Sequence, residues 1–412
     1  MTASNGAGPG RPAPGDSVGA AGKPGSAAAG SPPGLGAFLR YFLGLGTWGF
    51  GGPIATVGYM QRDLVERRGW MAEQDFLNGV ALGQTMPGPL AAQVVMWVGF
   101  LRRGWSGALA TAAVFIAPSF AGVLAIAIVY VRYSGLPVVQ SLFYGIAPAV
   151  MAIIAVAAGK LGRMTNRKDA RLWAISLVVG LVTAITGAEV AVLFIAAGLL
   201  MILLDAPPRR PAWLSRRGGT ALLLPVLARP ARLLAVTAAG TGTLVALGLF
   251  FLKAGAFIFG SGLAIVPFLR EGVVVQHHWL TSRQFLDAVA IGLITPGPVV
   301  ITATFIGYLV AGLPGALVAT AAIFAPIYAG VVLPGSWFVR HKDNPQIKAF
   351  VKGATAAAAG AIAGAVYVLT RQTVTDWATA GIATVALVVV LRFKNKEPFI
   401  VALGAVAGLL LH

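Results

Sequence analysis

The chain has 412 residues, of which 57% are hydrophobic and 11% charged, with a mean hydropathy of +0.82 and a formal net charge of +18. So few charges exclude the solvated surface a soluble protein of this length needs. The positive balance would suggest nucleic acid in a soluble protein, but here it lies mostly in short loops between apolar runs, where Lys and Arg orient membrane segments, so no nucleic-acid partner is expected.

Cysteine is absent, which removes disulfides, thiolate chemistry and iron–sulfur ligation. The four histidines show no metal-ligand spacing beyond the adjacent His277 and His278. Neither a metal nor a cofactor is expected. No G-x-x-x-x-G-K-[ST] loop occurs, so direct ATP drive is not expected without a partner. An intramembrane enzyme would need paired carboxylates, a metal cluster or an activated nucleophile inside the apolar runs, and none is visible there.

In chain order, residues 1–36 are rich in Gly, Pro, Ala and Ser, and are expected to form a disordered tail without the pattern of a signal peptide. The first apolar segment begins near Leu35 and is broken by "GFGGPIATVGYM" at 49–60. A basic stretch, "QRDLVERRGW", follows at 61–70, then a short amphipathic segment ending in "TMPGP" at 85–89. Apolar runs of membrane-spanning length recur at 106–130, 140–159, 233–252, 315–335 and 377–391. The expected architecture is an all-α polytopic membrane protein with five or six segments per half.

The chain is an internal repeat. An offset of 209 residues carries Phe50 onto Phe259, Gly51 onto Gly260, Trp70 onto Trp279, Gly83 onto Gly292 and Pro87 onto Pro296. An offset of 208 then carries Gly107-Ala108-Leu109 onto Gly315-Ala316-Leu317, and Ala117-Pro118 onto Ala325-Pro326. The expected division is a repeat at 37–204, a basic, Pro-rich cytoplasmic linker at 205–231 and a second repeat at 232–412. The basic loops alternate in opposite phase: 102–105 and 159–171 are basic in the first half, 340–348 in the second. Placing them together in the cytoplasm inverts one half relative to the other, as in many secondary transporters. The basic stretch 61–70 conflicts with this, because a simple count of crossings puts it outside.

Gly-Gly-Pro and Pro-Gly-Pro cannot sustain an unbroken helix. In lipid, irregular backbone survives only where protein buries it or water reaches it. Each break exposes half-helix ends whose free N–H groups suit an anion. The candidate binding residues are therefore Gly51, Gly52 and Pro53; Thr85, Pro87, Gly88, Pro89 and Gln93; Gly260, Ser261 and Gly262; and Thr295, Pro296, Gly297, Pro298 and Thr302. Lys253, six residues before Phe259, is either a cation beside that site or an interface anchor. Asp287, in register with Asn78, is either a titrating carboxylate or an ordinary helix-start acid, near a capping box at "TSRQ", 281–284.

"FGGP" in the first membrane segment, "PGP" after an amphipathic stretch opening with Trp, "FIAPSF" at 115–120 and the duplicated length resemble the long-chain chromate ion transporter family. The resemblance spans roughly residues 36–411. It implies a multi-pass protein of the bacterial inner membrane that exports chromate, confers chromate resistance and draws on the proton motive force. Sulfate is chemically close to chromate, so a transporter of sulfate or another oxyanion, or a passive anion channel, stands as the alternative. The partners expected are such an oxyanion, membrane lipid and, as an option, a second copy of the chain. Gly260-Ser261-Gly262 stands where the first half has Gly51-Gly52-Pro53, which argues against a fully symmetric site.

Overall fold

The computed structural model describes residues 34–49, 52–133, 136–186, 191–207, 241–258, 262, 265–341, 343–393 and 397–411. The expected tail as far as residue 33, and most of the expected linker, lie outside the described residues, as do Gly51, Gly260 and Ser261. The described residues are predominantly helical, with no strand among them. The first half contains α1 (Leu35–Trp48), α2 (Gly52–Met60), α3 (Glu73–Thr85), α4 (Leu90–Tyr133), α5 (Pro137–Asn166), α6 (Ala170–Thr186) and α7 (Ala191–Asp205). The second contains α8 (Thr241–Ala256), α9 (Ile265–Arg270), α10 (Ser282–Ile294), α11 (Thr302–Val332), α12 (Gly335–His341), α13 (Pro345–Thr373), α14 (Trp377–Arg392) and α15 (Glu397–Leu411). Stretches Leu90–Tyr133, Pro137–Asn166, Val299–Val332 and Pro345–Thr373 are long and apolar enough to cross a membrane.

The repeat is visible in backbone geometry. Arg103 and Gly104 break α4 with φ/ψ of −140/26 and 60/−143, and Ala311 and Gly312 break α11 with −146/30 and 60/−152. Only glycine adopts the second of these conformations without cost, and both glycines sit 208 residues apart. At each break the helix folds back on itself. Thr111 Oγ1 donates to the Val95 carbonyl at 3.2 Å, and Thr304 and Thr320 hydroxyls meet at 2.6 Å. Gly99 lies on Gly107 and Gly307 on Gly315, so the two arms approach backbone to backbone. The 44 residues of α4 are thus a short arm and a full-length arm, and α11 repeats the arrangement.

The broken segments also fold back. Beyond the end of α1 at Trp48, α2 and a π-helical turn (Gln61–Arg67) return the chain to where α1 began. Trp70 packs against Phe38 and Tyr41 with ring centroids 6.3 and 6.0 Å apart, and Arg68 lies 4.6 Å over the Trp70 ring. In the second half Phe250 of α8 packs on Phe268 and Trp279 in the same way. The next pair, α3 and the short arm of α4, form a hairpin with Pro-Gly-Pro at its tip: Trp97 Nε1 donates to the Asp75 carbonyl at 2.9 Å, and Gly79 faces the Trp97 ring. Each half therefore opens with two hairpins that enter and leave on one side.

The halves run in opposite directions. At one face Asp205, closing α7, pairs with Arg171 at 2.9 Å and with Lys352 at 3.6 Å, so α5 ends where α13 begins. At the other face Tyr144, near the start of α5, donates to Asp376 at 2.7 Å, just beyond the end of α13. These repeat partners are antiparallel, as an inverted repeat requires. Each half also clasps the helices of the other. Gly145 of α5 packs on Gly404 and Gly408 of α15, while Gly353 of α13 packs on Ala197 and Met201 of α7. Ser176 of α6 donates to the Ala356 carbonyl at 2.7 Å along the alanine-rich middle of α13.

This geometry corrects the expected position of 61–70. Because the first segment folds back rather than crossing, its basic stretch returns to its starting face. Arg102 lies over the Phe38 ring at 5.0 Å, and Tyr328, near the end of α11, donates to the Trp105 carbonyl at 2.8 Å. The stretches 61–70, 102–105, 159–171 and 340–352 therefore share one face. The conflict came from counting a hairpin as a crossing.

Candidate functional site

The hairpin tips converge between the halves. The Pro-Gly-Pro tip of the first half touches the second half just beyond α8: Gly88 N–H donates to the Ile258 carbonyl at 2.6 Å. Gly262 lies against Val299, the residue after the second Pro-Gly-Pro, at 3.5 Å from where a Cβ would stand. The long arm of α4 reaches the second tip, where Ser119 Oγ donates to the Pro296 carbonyl. The long arm of α11 reaches the first tip, where a Cβ on Gly88 would meet Ile327 Cγ2 at 2.9 Å. Ser119 and Ile327 are 208 residues apart, each one residue past the proline of an Ala-Pro pair. Ser119 stands near the middle of the long arm of α4, whereas Ile327 stands five residues before the end of α11 at Val332.

Glycine is required at both tips. Gly88 has φ +143 and Gly297 φ +114, the region L side chains avoid. A Cβ at Gly297 would also collide with the Ser119 hydroxyl. Pro87 and Pro89, like Pro296 and Pro298, flank these glycines and end the incoming helix.

Gln93 is fully buried and grips its tip: Nε2 donates to the Met86 carbonyl at 3.2 Å and the Pro87 carbonyl at 3.0 Å, while buried Oε1 has no hydrogen-bond partner. The hydroxyls of Thr85, Thr295 and Thr302 donate within their own segments, to Ala81, Ile291 and Val299 carbonyls at 2.8, 2.6 and 2.8 Å. These side-chain donors are spent on main-chain carbonyls of their own segments. Gly52 and Pro53 open α2, Leu90 opens α4 and Val299 opens the 3₁₀ turn leading into α11. Each of these starts projects N–H groups without intrahelical partners from a tip.

Lys253 stands apart from this cluster. It lies in the last turn of α8 with an exposed side chain, its Nζ 5.6 Å from the centre of the Phe268 ring. The capping box at Thr281 and Gln284 is present. Sequence reasoning missed Ser119 and Ile258 as tip partners and Tyr130 as the partner of Asp287. The register of the two Ala-Pro pairs contained the signal for Ser119, because the residue after each proline holds an equivalent place. Nothing local pointed to Tyr130 or Ile258.

A family model described as "Chromate transporter" matches residues 36–203 and again 245–409. The chain is 50% identical to the "Chromate transport protein" of Cupriavidus metallidurans over 91% of its own length and 92% of that protein. It is 47% identical to the "Probable chromate transport protein" of Synechococcus elongatus, over 90% and 94%. The "Chromate transport protein" of Pseudomonas aeruginosa is 29% identical over 89% of each chain. No solved structure matches the chain.

Proposed function

Because the chain belongs to the chromate transporter family, we propose that it exports chromate across the bacterial inner membrane as a secondary active transporter, drawing on the proton motive force and so giving resistance to chromate. The observation that carries this reading is that two Pro-Gly-Pro tips are held between the halves, the first on Ile258 just beyond α8 and the second on Ser119 of α4. Helix starts projecting free N–H groups suit a tetrahedral dianion without a buried cation, which would bind it too tightly for release. Lys253, on the tip side of α8, is assigned to the approach rather than to the site itself. The face bearing 61–70, 102–105, 159–171 and 340–352 is assigned to the cytoplasm, following the bias of Lys and Arg. Alternating access follows if the clasped halves rock about the tips.

Inverted membrane vesicles test this. An imposed acid-inside gradient is expected to drive uptake of labelled chromate, with sulfate competing. Chromate that equilibrates regardless of the gradient would indicate a passive channel. Sulfate uptake that chromate does not inhibit would indicate a sulfate transporter.

A further inference from the structure

We propose that Asp287 is the residue that binds and releases the coupling proton, with Tyr130 as its partner across the two halves. The assignment rests on the proton-coupled reading above and names the group that would serve it.

Asp287 is 2% exposed and is the one fully buried acidic side chain among the described residues. Tyr130 O–H donates to its Oδ2 at 2.7 Å, while Oδ1 is buried without a hydrogen-bond partner. A buried carboxylate with one oxygen unsatisfied is costly, and in membrane proteins such groups are kept chiefly where ions or protons move. Helix capping does not account for it, because Thr281 and Gln284 already cap α10 and Asp287 lies six residues beyond the cap.

The groups around it are few. Tyr130 faces it from α4, and Arg283 acts on it from the start of its own helix while donating to the Gln140 carbonyl of α5 at 2.9 Å. From α5 and α11 come Phe143 and Phe305, whose rings pack edge-on to Tyr130 at 5.4 and 5.2 Å. On α9 and the turn after it, Arg270 and Glu271 act on one another. The described side chains of α15 carry no charge.

The arrangement occurs once. The first-half equivalent of Asp287 is Asn78, a neutral amide that accepts from Gln74 at 3.2 Å, and the second-half equivalent of Tyr130 is the buried Phe338. A proton can therefore bind at this place in the second hairpin only. The proton arrives from the face where α10 begins and joins Oδ1, turning the carboxylate into the neutral acid. Its departure restores the carboxylate, and no other bond forms or breaks. The same hairpin and the same arm of α4 meet again at Ser119 and Pro296, so a change at Asp287 acts on the seam that holds the tip.

The test uses the full chain, purified and reconstituted, with labelled chromate as the probe in two assays: counterflow at equal pH on both sides, and uptake driven by a pH gradient. Asp287→Asn is expected to keep counterflow and lose acceleration by the gradient, and Asp287→Glu to keep that acceleration with a displaced pH profile. Asp287→Asn vesicles that respond to the gradient as the wild type does would overturn the assignment. If Asp287→Asn shows no counterflow, Asp287→Glu and Tyr130→Phe decide: displaced pH profiles support the assignment, and profiles superimposable on the wild type overturn it. Wild-type counterflow without any response to the gradient would instead refute the coupled reading itself, and the assignment with it.

Discussion

Ser119 of the first half donates its hydroxyl proton to the carbonyl of Pro296 in the second, and its repeat partner Ile327 packs the first-half tip with a methyl group instead. The two halves thus hold each other's tips through equivalent helix positions but with different chemistry. One contact is a hydrogen bond to a freed carbonyl, the other is dispersion alone. The pseudo-symmetry of the fold does not extend to its centre, in keeping with the departure of Gly260-Ser261-Gly262 from the first-half pattern.

The Ser119 bond is expected to matter to transport. Ser119→Ala leaves the Pro296 carbonyl without its donor, and an unsatisfied buried acceptor costs about 1–3 kcal/mol. Labelled chromate uptake by the variant should fall by about tenfold, with near-normal protein levels in the membrane. Uptake equal to wild type would show that water or a neighbouring group replaces the bond.

The fold-back of the first segment predicts which residues share a side. The natural chain has no cysteine, so single cysteines report without a background. Arg67→Cys and Lys168→Cys should react with a membrane-impermeant maleimide from the same side of oriented vesicles, and His278→Cys from the opposite side. Labelling of positions 67 and 168 from opposite sides would mean that the first segment crosses the bilayer.

Asp376 ties α5 to α14 outside the membrane and sets a pH dependence. The main-chain N–H of Thr379 donates to it, as does the Tyr144 hydroxyl, and these hold the carboxyl down at about 2. A depressed carboxylate contributes stability above its unfolded value, about 3.9, and loses it as the pH falls through the folded value. The melting temperature of Asp376→Ala should therefore lie below that of the wild type by a constant gap from neutral pH to about pH 5. That gap should close between about pH 4 and about pH 2. A gap that closes above pH 5 would mean that the cap is not holding the ionised form.

The repeat, the breaks and the α10 capping box were legible because each is local or self-similar: a proline or glycine announces a helix end wherever it stands, and two such signals in one register announce duplication. The direction the chain takes after a break was not legible. "GFGGP" shows that α1 stops, but only the packing of Trp70 on Phe38 and Tyr41 shows that the chain turns back. That one unknown put 61–70 on the wrong side. The hydroxyls of Thr85, Thr295 and Thr302 illustrate a second limit. Composition marks them as donors near a break, yet each is consumed by a carbonyl in its own segment, a choice set by rotamer and backbone rather than residue type. Tyr130 and Asp287 lie 157 residues apart and meet only because the halves interlock.

The central claim is that backbone at the hairpin tips holds the oxyanion, and binding of labelled chromate to the purified protein tests it most directly. Gly297→Ala places a Cβ on a positive-φ residue and against the Ser119 hydroxyl, which displaces the tip without changing any charge. The account predicts that wild type binds chromate in competition with sulfate and that Gly297→Ala, eluting as a monodisperse folded protein, binds at least about tenfold more weakly, the scale of one hydrogen bond to a charged group. Wild-type affinity in that variant would contradict the account and place the anion elsewhere.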